Sequence, residues 1–171
     1  MNRWGIIAAM AFSAIATVTA ALADTKTLAR AGSWEAFGGT TTTGRGVCGI
    51  SAEPAGRYFG LKLFAGGQTF TIQMGTNAWK LDNGNKVPLT LRFDSNPTWR
   101  ATGTVFHFDD GDAGLQFDVN RAEIDNFARE FRDSSTLRIQ FQDNVLPQWI
   151  MGLEGTMAVN NAFETCRRGL Q

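Results

Sequence analysis

Residue types that ordinarily do chemistry are scarce in this chain. Its one histidine, His107, sits between Phe106 and Phe108. In an alternating strand it points away from the face those aromatics fill, as a surface histidine does. A hydrolytic triad would need His107 as its base, yet no Gly-x-Ser-x-Gly elbow presents a nucleophile. A zinc site is equally short of ligands, since one histidine and two cysteines leave only carboxylates to complete it. The turn Asp109-Asp110-Gly111-Asp112 is the best metal candidate, because clustered hard oxygens around a glycine bend suit calcium. Where a calcium loop needs a bidentate Glu, at its twelfth position, the chain has Asn120 counted from Asp109 and Arg121 counted from Asp110. A solvated hairpin turn is therefore expected, with no metal and no cofactor. The same three aspartates are the acids a glycosidase reading would use, although neighbouring turn residues seldom flank one scissile bond.

Binding chemistry is better supplied. Trp99 lies in Asn96-Pro97-Thr98-Trp99-Arg100, a turn-like segment with a basic neighbour. An exposed indole there could stack on a sugar or anchor a protein interface. The alternative is that Trp99 begins a strand and covers the end of a barrel. Gly38-Gly39 and the run Thr40 to Thr43 read as a mobile polar loop, so Trp99, Arg100, Gly38 and Gly39 are the candidate binding residues. Trp79 and Trp149 read as core.

Residues 1–23 have the form of a secretory leader: Met1-Asn2-Arg3, an apolar run from Ile6 to Val18, and the small-residue exit Ala21-Leu22-Ala23 before Asp24. The expected product is a single domain, residues 24–171, in the periplasm or outside the cell. Export places Cys48 and Cys166 where thiols are oxidised, and one disulfide between them is the economical reading. A redox-active pair would call for Cys-x-x-Cys spacing, which is missing. Without Arg3 the chain carries 15 basic against 16 acidic residues. That balance lacks the basic face that nucleic acid or an anionic membrane selects. After leader removal no apolar run is long enough for a stable membrane span.

Most of the chain shows the period-two alternation of half-buried antiparallel strands. Phe59, Leu61 and Leu63 turn at Gly66-Gly67 into Phe70, Ile72 and Met74. Trp79 and Leu81 would turn at Asp82-Asn83-Gly84-Asn85 into Val87, Leu89 and Leu91, with Asn-Gly as the hairpin signal. Thr104, Phe106 and Phe108 would meet Leu115, Phe117 and Val119. The period then changes: Ile124, Phe127, Ala128 and Phe131 follow helical spacing, with Asn120 as cap and Glu123 as its reciprocal partner. Arg121, Asp125 and Arg129 are spaced for surface ion pairs. Strands resume at Leu137 to Phe141 and Trp149 to Leu153. A last helix from about Thr156 to Cys166 would turn Met157, Ala158, Ala162 and Phe163 inward. The expected fold is mainly β (α+β), an antiparallel β-sandwich or partly closed barrel with two helices near the C-terminus.

The order Gly32-Ser33-Trp34, then Gly46-Val47-Cys48-Gly49-Ile50-Ser51, then Leu153-Glu154-Gly155-Thr156-Met157-Ala158 resembles the invasion-associated locus B family of exported bacterial proteins. The resemblance covers most of the chain in layout and a few short stretches in letters. Members of that family commonly carry a Cys shortly after the first Trp, whereas here Phe37 and its neighbours supply none. The resemblance implies a β-rich envelope domain with an accessory role linked to host-cell invasion and no catalytic residues to carry over. The function expected is that of a non-catalytic exported accessory protein, binding an envelope or secreted protein, in host interaction or envelope stress. The alternative is an envelope glycan hydrolase using the Asp109 to Asp112 carboxylates.

Overall fold

Alternation along the chain becomes one antiparallel sheet in the computed structural model, which describes residues 24–142 and 146–170. The leader read at residues 1–23 lies outside the described residues. The strands are β1 (Thr25–Ala31), β2 (Trp34–Thr40), β3 (Gly46–Ala52), β4 (Tyr58–Phe64), β5 (Thr69–Gly75), β6 (Lys86–Phe93), β7 (Trp99–His107), β8 (Ala113–Asn120), β9 (Thr136–Phe141) and β10 (Trp149–Gly152). Two helices follow β8 and β10: α1 (Ile124–Asp133) and α2 (Thr156–Arg168). The sheet order is β1-β2-β3-β4-β5-β8-β7-β6-β9-β10. It is mainly β, as expected, and the two edge strands are not joined by a ladder. The sheet nevertheless curls, since the Trp34 indole N–H on β2 donates to the Gly152 carbonyl on β10 (3.1 Å). Gly32 shows the same approach: with φ +59°, a Cβ there would stand 3.0 Å from the Glu154 carbonyl oxygen.

Inside the curl lies one core. Phe59, Leu61 and Leu63 of β4 and Phe70, Ile72 and Met74 of β5 are buried, as their spacing predicts. Phe127 and Phe131 of α1 press into it: Phe127 meets Phe70, Phe93 and Trp99 edge-on, and Phe131 meets Trp34 edge-on at 4.8 Å. Trp79 and Trp149 are both core, stacked at 4.8 Å. Next to α1, α2 buries Val159 and Phe163 and packs on β1, β2 and β3.

Five local expectations are overturned. The hairpin from Trp79 and Leu81 into β6 does not form: β6 pairs with β7 and β9, and β5 pairs with β8. The turn that does carry a hairpin is Asp94 to Thr98. There Asp94, at φ +45°, accepts from the backbone N–H groups of Ser135 and Thr136 (2.8 and 2.9 Å). This ties the turn to β9, a partner that local pattern cannot show.

In β7 the inward face is Ala101, Gly103 and Val105, so Thr104 and Phe106 point outward. Val105 opposes Leu115, and Phe106 opposes Gly114. A one-residue slip exchanges the two faces of a strand, and the outward aromatics are explained by glycine. A Cβ at Gly114 would lie 2.7 Å from the Phe106 ring, and one at Gly75 would lie 2.5 Å from Phe108. Those rings thus cover backbone that has no side chain of its own. His107, at the strand end, is exposed, as expected of a surface histidine.

Asn120 does act as a cap, accepting from the Ala122 N–H at 2.9 Å, but it caps a short 3₁₀ turn (Arg121–Glu123) that precedes α1. Glu123 accepts from the Asn126 side chain (3.0 Å) rather than reaching back, so the reciprocal box is not made. Nor do Arg121, Asp125 and Arg129 pair with one another. Arg121 donates to the Gly67 carbonyl (3.0 Å), Arg129 donates to Asn126, and Asp125 pairs with Arg167 of α2. Tertiary partners outcompete these helix neighbours. In α2, Met157 is exposed (60%) and Ala158 faces solvent, while Thr156, Val159, Asn160 and Phe163 are buried. The Thr156 hydroxyl donates to the Leu153 carbonyl (2.8 Å), which rotates the helix so that this polar residue, not its apolar neighbours, faces the sheet.

Candidate functional site

Two strands that should run side by side part company, and the opening between them is the candidate site. β7 and β8 are paired from His107 and Ala113 to Thr104 and Gln116, and no further. Beyond that pair β7 stays with β6 and β8 stays with β5. The last paired rung adjoins Gly103, whose missing side chain leaves room for Leu89 and Leu115; a Cβ there would stand 3.2 Å from each. A buried glycine inside a strand marks a bend or a close approach. The far end of β8 is drawn away by the Asn120 cap and the start of α1.

The result is a cleft of about 430 Å³. Its floor is made of inner-face side chains: Trp99, Ala101 and Val119 are half-buried there, and Ile72, Leu91 and Phe127 lie buried beneath them. One lip carries Arg100, Thr102 and Thr104, and the other carries Gln116, Asp118 and Asn120. Asp118 accepts from the Thr71 hydroxyl (2.6 Å), and it is the only acid that lines the cleft. The arrangement combines an apolar floor with polar lips of both charges. It can hold a ligand, but it offers no acid and base converging on one point.

Trp99 and Arg100 meet at this cleft. Trp99 opens β7, half-buried rather than exposed: its ring packs edge-on against Phe127 (5.5 Å) and its N–H donates to the Glu130 carboxylate (2.7 Å). The indole is thus tied to α1 through its N–H, whereas Arg100 stands exposed on the lip.

Gly38 and Gly39 lie elsewhere, inside strand β2 rather than in a loop, opposite Cys48 and Val47 of β3. Cys48 and Cys166 stand at disulfide distance, with Cα atoms 6.0 Å apart and a sequence separation of 118. Gly38 makes room for that bridge, since a Cβ there would lie 2.6 Å from the Cys166 sulfur. We expect Gly38→Ala to cost about 1–3 kcal/mol by overpacking. In a Cys48→Ala/Cys166→Ala background most of that cost should vanish, because the opposing sulfur is gone. A double-mutant cycle in urea reads the difference, and an undiminished cost would place the strain elsewhere.

Asp109, Asp110 and Asp112 lie in the hairpin turn between β7 and β8, with Asp109 and Asp110 exposed and Asp112 half-buried. The Asp110 carboxylate accepts from the Asp112 N–H (3.0 Å), which stabilises the turn itself. Among the described residues no three of His, Cys, Asp and Glu gather as a metal site requires. The three aspartates line one side of an outer-face depression of about 390 Å³, together with Glu53, Tyr58, Lys62 and Phe108. Burial, helped by the charge of Glu53, pushes the Tyr58 hydroxyl up to about 12, and burial lowers Lys62. No helix of the described residues is long and apolar enough to cross a membrane.

Comparison of the sequence with protein-family models and with curated proteins finds no match. In three dimensions the chain is similar to invasion associated protein B from Bartonella henselae, whose crystal structure matches with a TM-score of 0.56 at 14% identity. The match covers 84% of this chain and 99% of that one, so nearly the whole of that protein shares this fold.

Proposed function

We propose that this chain is a non-catalytic exported domain that works by binding another envelope or secreted protein. The observation that carries this reading is the cleft between β7 and β8, where the half-buried Trp99, Ala101 and Val119 offer apolar surface between polar lips and a single carboxylate is already engaged with Thr71. A concave site with apolar surface and a few placed polar groups suits ligand binding, and this one brings no acid and base together. The Cys48 and Cys166 pair and the fold likeness to invasion associated protein B both suit an exported accessory protein. A role in host interaction or envelope stress belongs to the same reading. The hydrolase alternative has less support, because Asp109, Asp110 and Asp112 sit side by side in one turn rather than on opposite sides of a cleft, with Asp110 bonded within the turn.

Affinity capture of the oxidised protein from its own envelope extract tests this. A saturable protein partner at near-equal amounts, reduced about tenfold or more by Arg100→Glu with unchanged melting, is the expected result. Hydrolysis of envelope glycan that is abolished by Asp110→Asn, with no protein partner retained, would reverse the assignment.

A further inference from the structure

We infer that the cleft between β7 and β8 takes a short extended peptide of a partner protein, inserted as an additional strand. This rests on the protein-binding reading and specifies the chemistry of the partner. The argument begins with where the peptide groups point. Val105 donates to the Asn85 carbonyl (2.8 Å) and accepts from the Gly84 N–H (2.9 Å), so its polar groups face the β6 side. The N–H and C=O of a strand residue lie on one side, and successive residues alternate. Those of Arg100 and Thr102 therefore face β8. On the other lip, Arg121 donates to the Gln68 carbonyl (2.9 Å), towards β5, so the groups of Asp118 face β7.

Where the ladder continues, at Thr104 and Gln116, such groups satisfy one another. At Arg100, Thr102 and Asp118 they face across the opening without a ladder partner, and no side-chain bond among the described residues takes them up. An unpaired edge is a template for another strand, which is why proteins usually blunt or cover it. Here two such edges face each other over an apolar floor. The donors and acceptors on each lip repeat every second residue, about 7 Å, which is the repeat of another polypeptide backbone and not of a sugar chain. The open stretch runs over four positions on each lip, Arg100 to Gly103 and Phe117 to Asn120, roughly 13 Å. That suits four or five residues of ligand. Side chains of an inserted strand alternate, so one apolar residue would point down onto the half-buried Trp99, Ala101 and Val119. Its neighbours would point out between Arg100 and Asp118 and should be polar. Recognition by strand addition draws affinity from the main chain and specificity from such alternating pockets.

The test uses linear peptides selected from a displayed random library against the oxidised full-length domain. The expected winners share an apolar residue flanked by polar ones. They should slow amide exchange at Arg100, Thr102 and Asp118 while leaving Ala101 and Phe117, already in ladders, unchanged. Resynthesis with N-methyl groups on alternate residues should weaken binding roughly tenfold or more in one phase and little in the other, the value of lost main-chain hydrogen bonds. Thr102→Pro should weaken binding likewise without lowering the melting temperature, because that N–H serves no ladder.

Peptides that bind while protecting other amides, or with equal loss in both methylation phases, overturn strand insertion but leave a protein-binding function standing. The same amides protected by soluble glycan fragments and by no peptide overturn it in favour of a sugar site. Selection of no peptide, with the envelope capture still yielding a protein partner, overturns it too. Failure of that capture is the separate result that removes the reading beneath.

Discussion

Phe127→Ala is expected to cost about 3–5 kcal/mol, the range for removing a buried aromatic ring. Phe127 is 2% exposed and is the only side chain of α1 that touches rings on three separate strands. Its centroid lies 5.4 Å from Phe70 on β5, 5.1 Å from Phe93 on β6 and 5.5 Å from Trp99 on β7, each edge-on. Pairs in that geometry contribute about 0.5–1.5 kcal/mol each beyond the area they bury. Truncation therefore removes a joint as well as a volume. Phe127 also floors the cleft, so the space left behind opens to water instead of staying sealed. Trp99, which loses its edge contact, is left with the Glu130 bond alone. Urea unfolding followed by tryptophan fluorescence gives the cost. Phe127→Leu, which keeps most of the volume, should lose less than half as much. A cost below about 1 kcal/mol for the alanine variant would mean that α1 does not anchor the curled sheet.

What could be read from the sequence divides by the range of the interactions involved. The strands β4 and β5 and the helix α1 were legible because burial on one face writes a period directly into the letters: Phe59-Leu61-Leu63, Phe70-Ile72-Met74, Ile124-Phe127-Ala128-Phe131. The Cys48 and Cys166 pair followed from there being no other cysteine to choose. Errors arose where a distant partner decides. Asn83-Gly84 carries the sequence of a tight hairpin turn, yet Gly84 donates to Val105 across the sheet, and the real hairpin is held at Asp94 by β9. Phe106 and Phe108 looked like core because aromatics in strands usually are. They lie outside because Gly75 and Gly114 offer bare backbone to cover.

The candidate site was half legible. Trp99 and Arg100 were singled out, and both reach the cleft, although the indole turns inward to Glu130. Asp118 and the splay itself were missed. The one local sign of it was Gly103, a glycine inside an otherwise continuous strand. Gly38 and Gly39 have the letters of a loop for the converse reason: two adjacent glycines suggest freedom, whereas Gly38 is confined by the Cys166 sulfur.

The same sulfur leads to the second large effect. Replacing both cysteines, Cys48→Ala with Cys166→Ala, should lower stability by about 4–5 kcal/mol, the chain-entropy figure for a loop on the order of 100 residues. Against a total of about 5–15 kcal/mol for an ordinary domain, that is enough to bring the protein near its unfolding threshold. Most of the change should lie in the unfolded chain, which the bridge between β3 and the last turns of α2 holds compact. The urea slope m should therefore rise in the variant as the denatured state expands, together with a fall in the midpoint. Burial of Val159 and Phe163 and the ion pair of Arg167 with Asp125 remain to hold α2 on the sheet. In the native state, then, the α2 amides of the variant should stay protected from exchange until global unfolding. Early exchange confined to α2 would show instead that the bridge acts mainly on the folded state, fastening a helix whose own packing is too weak to keep it in place. A loss below about 1 kcal/mol would show that this packing is sufficient and that the long loop was already restricted in the unfolded chain.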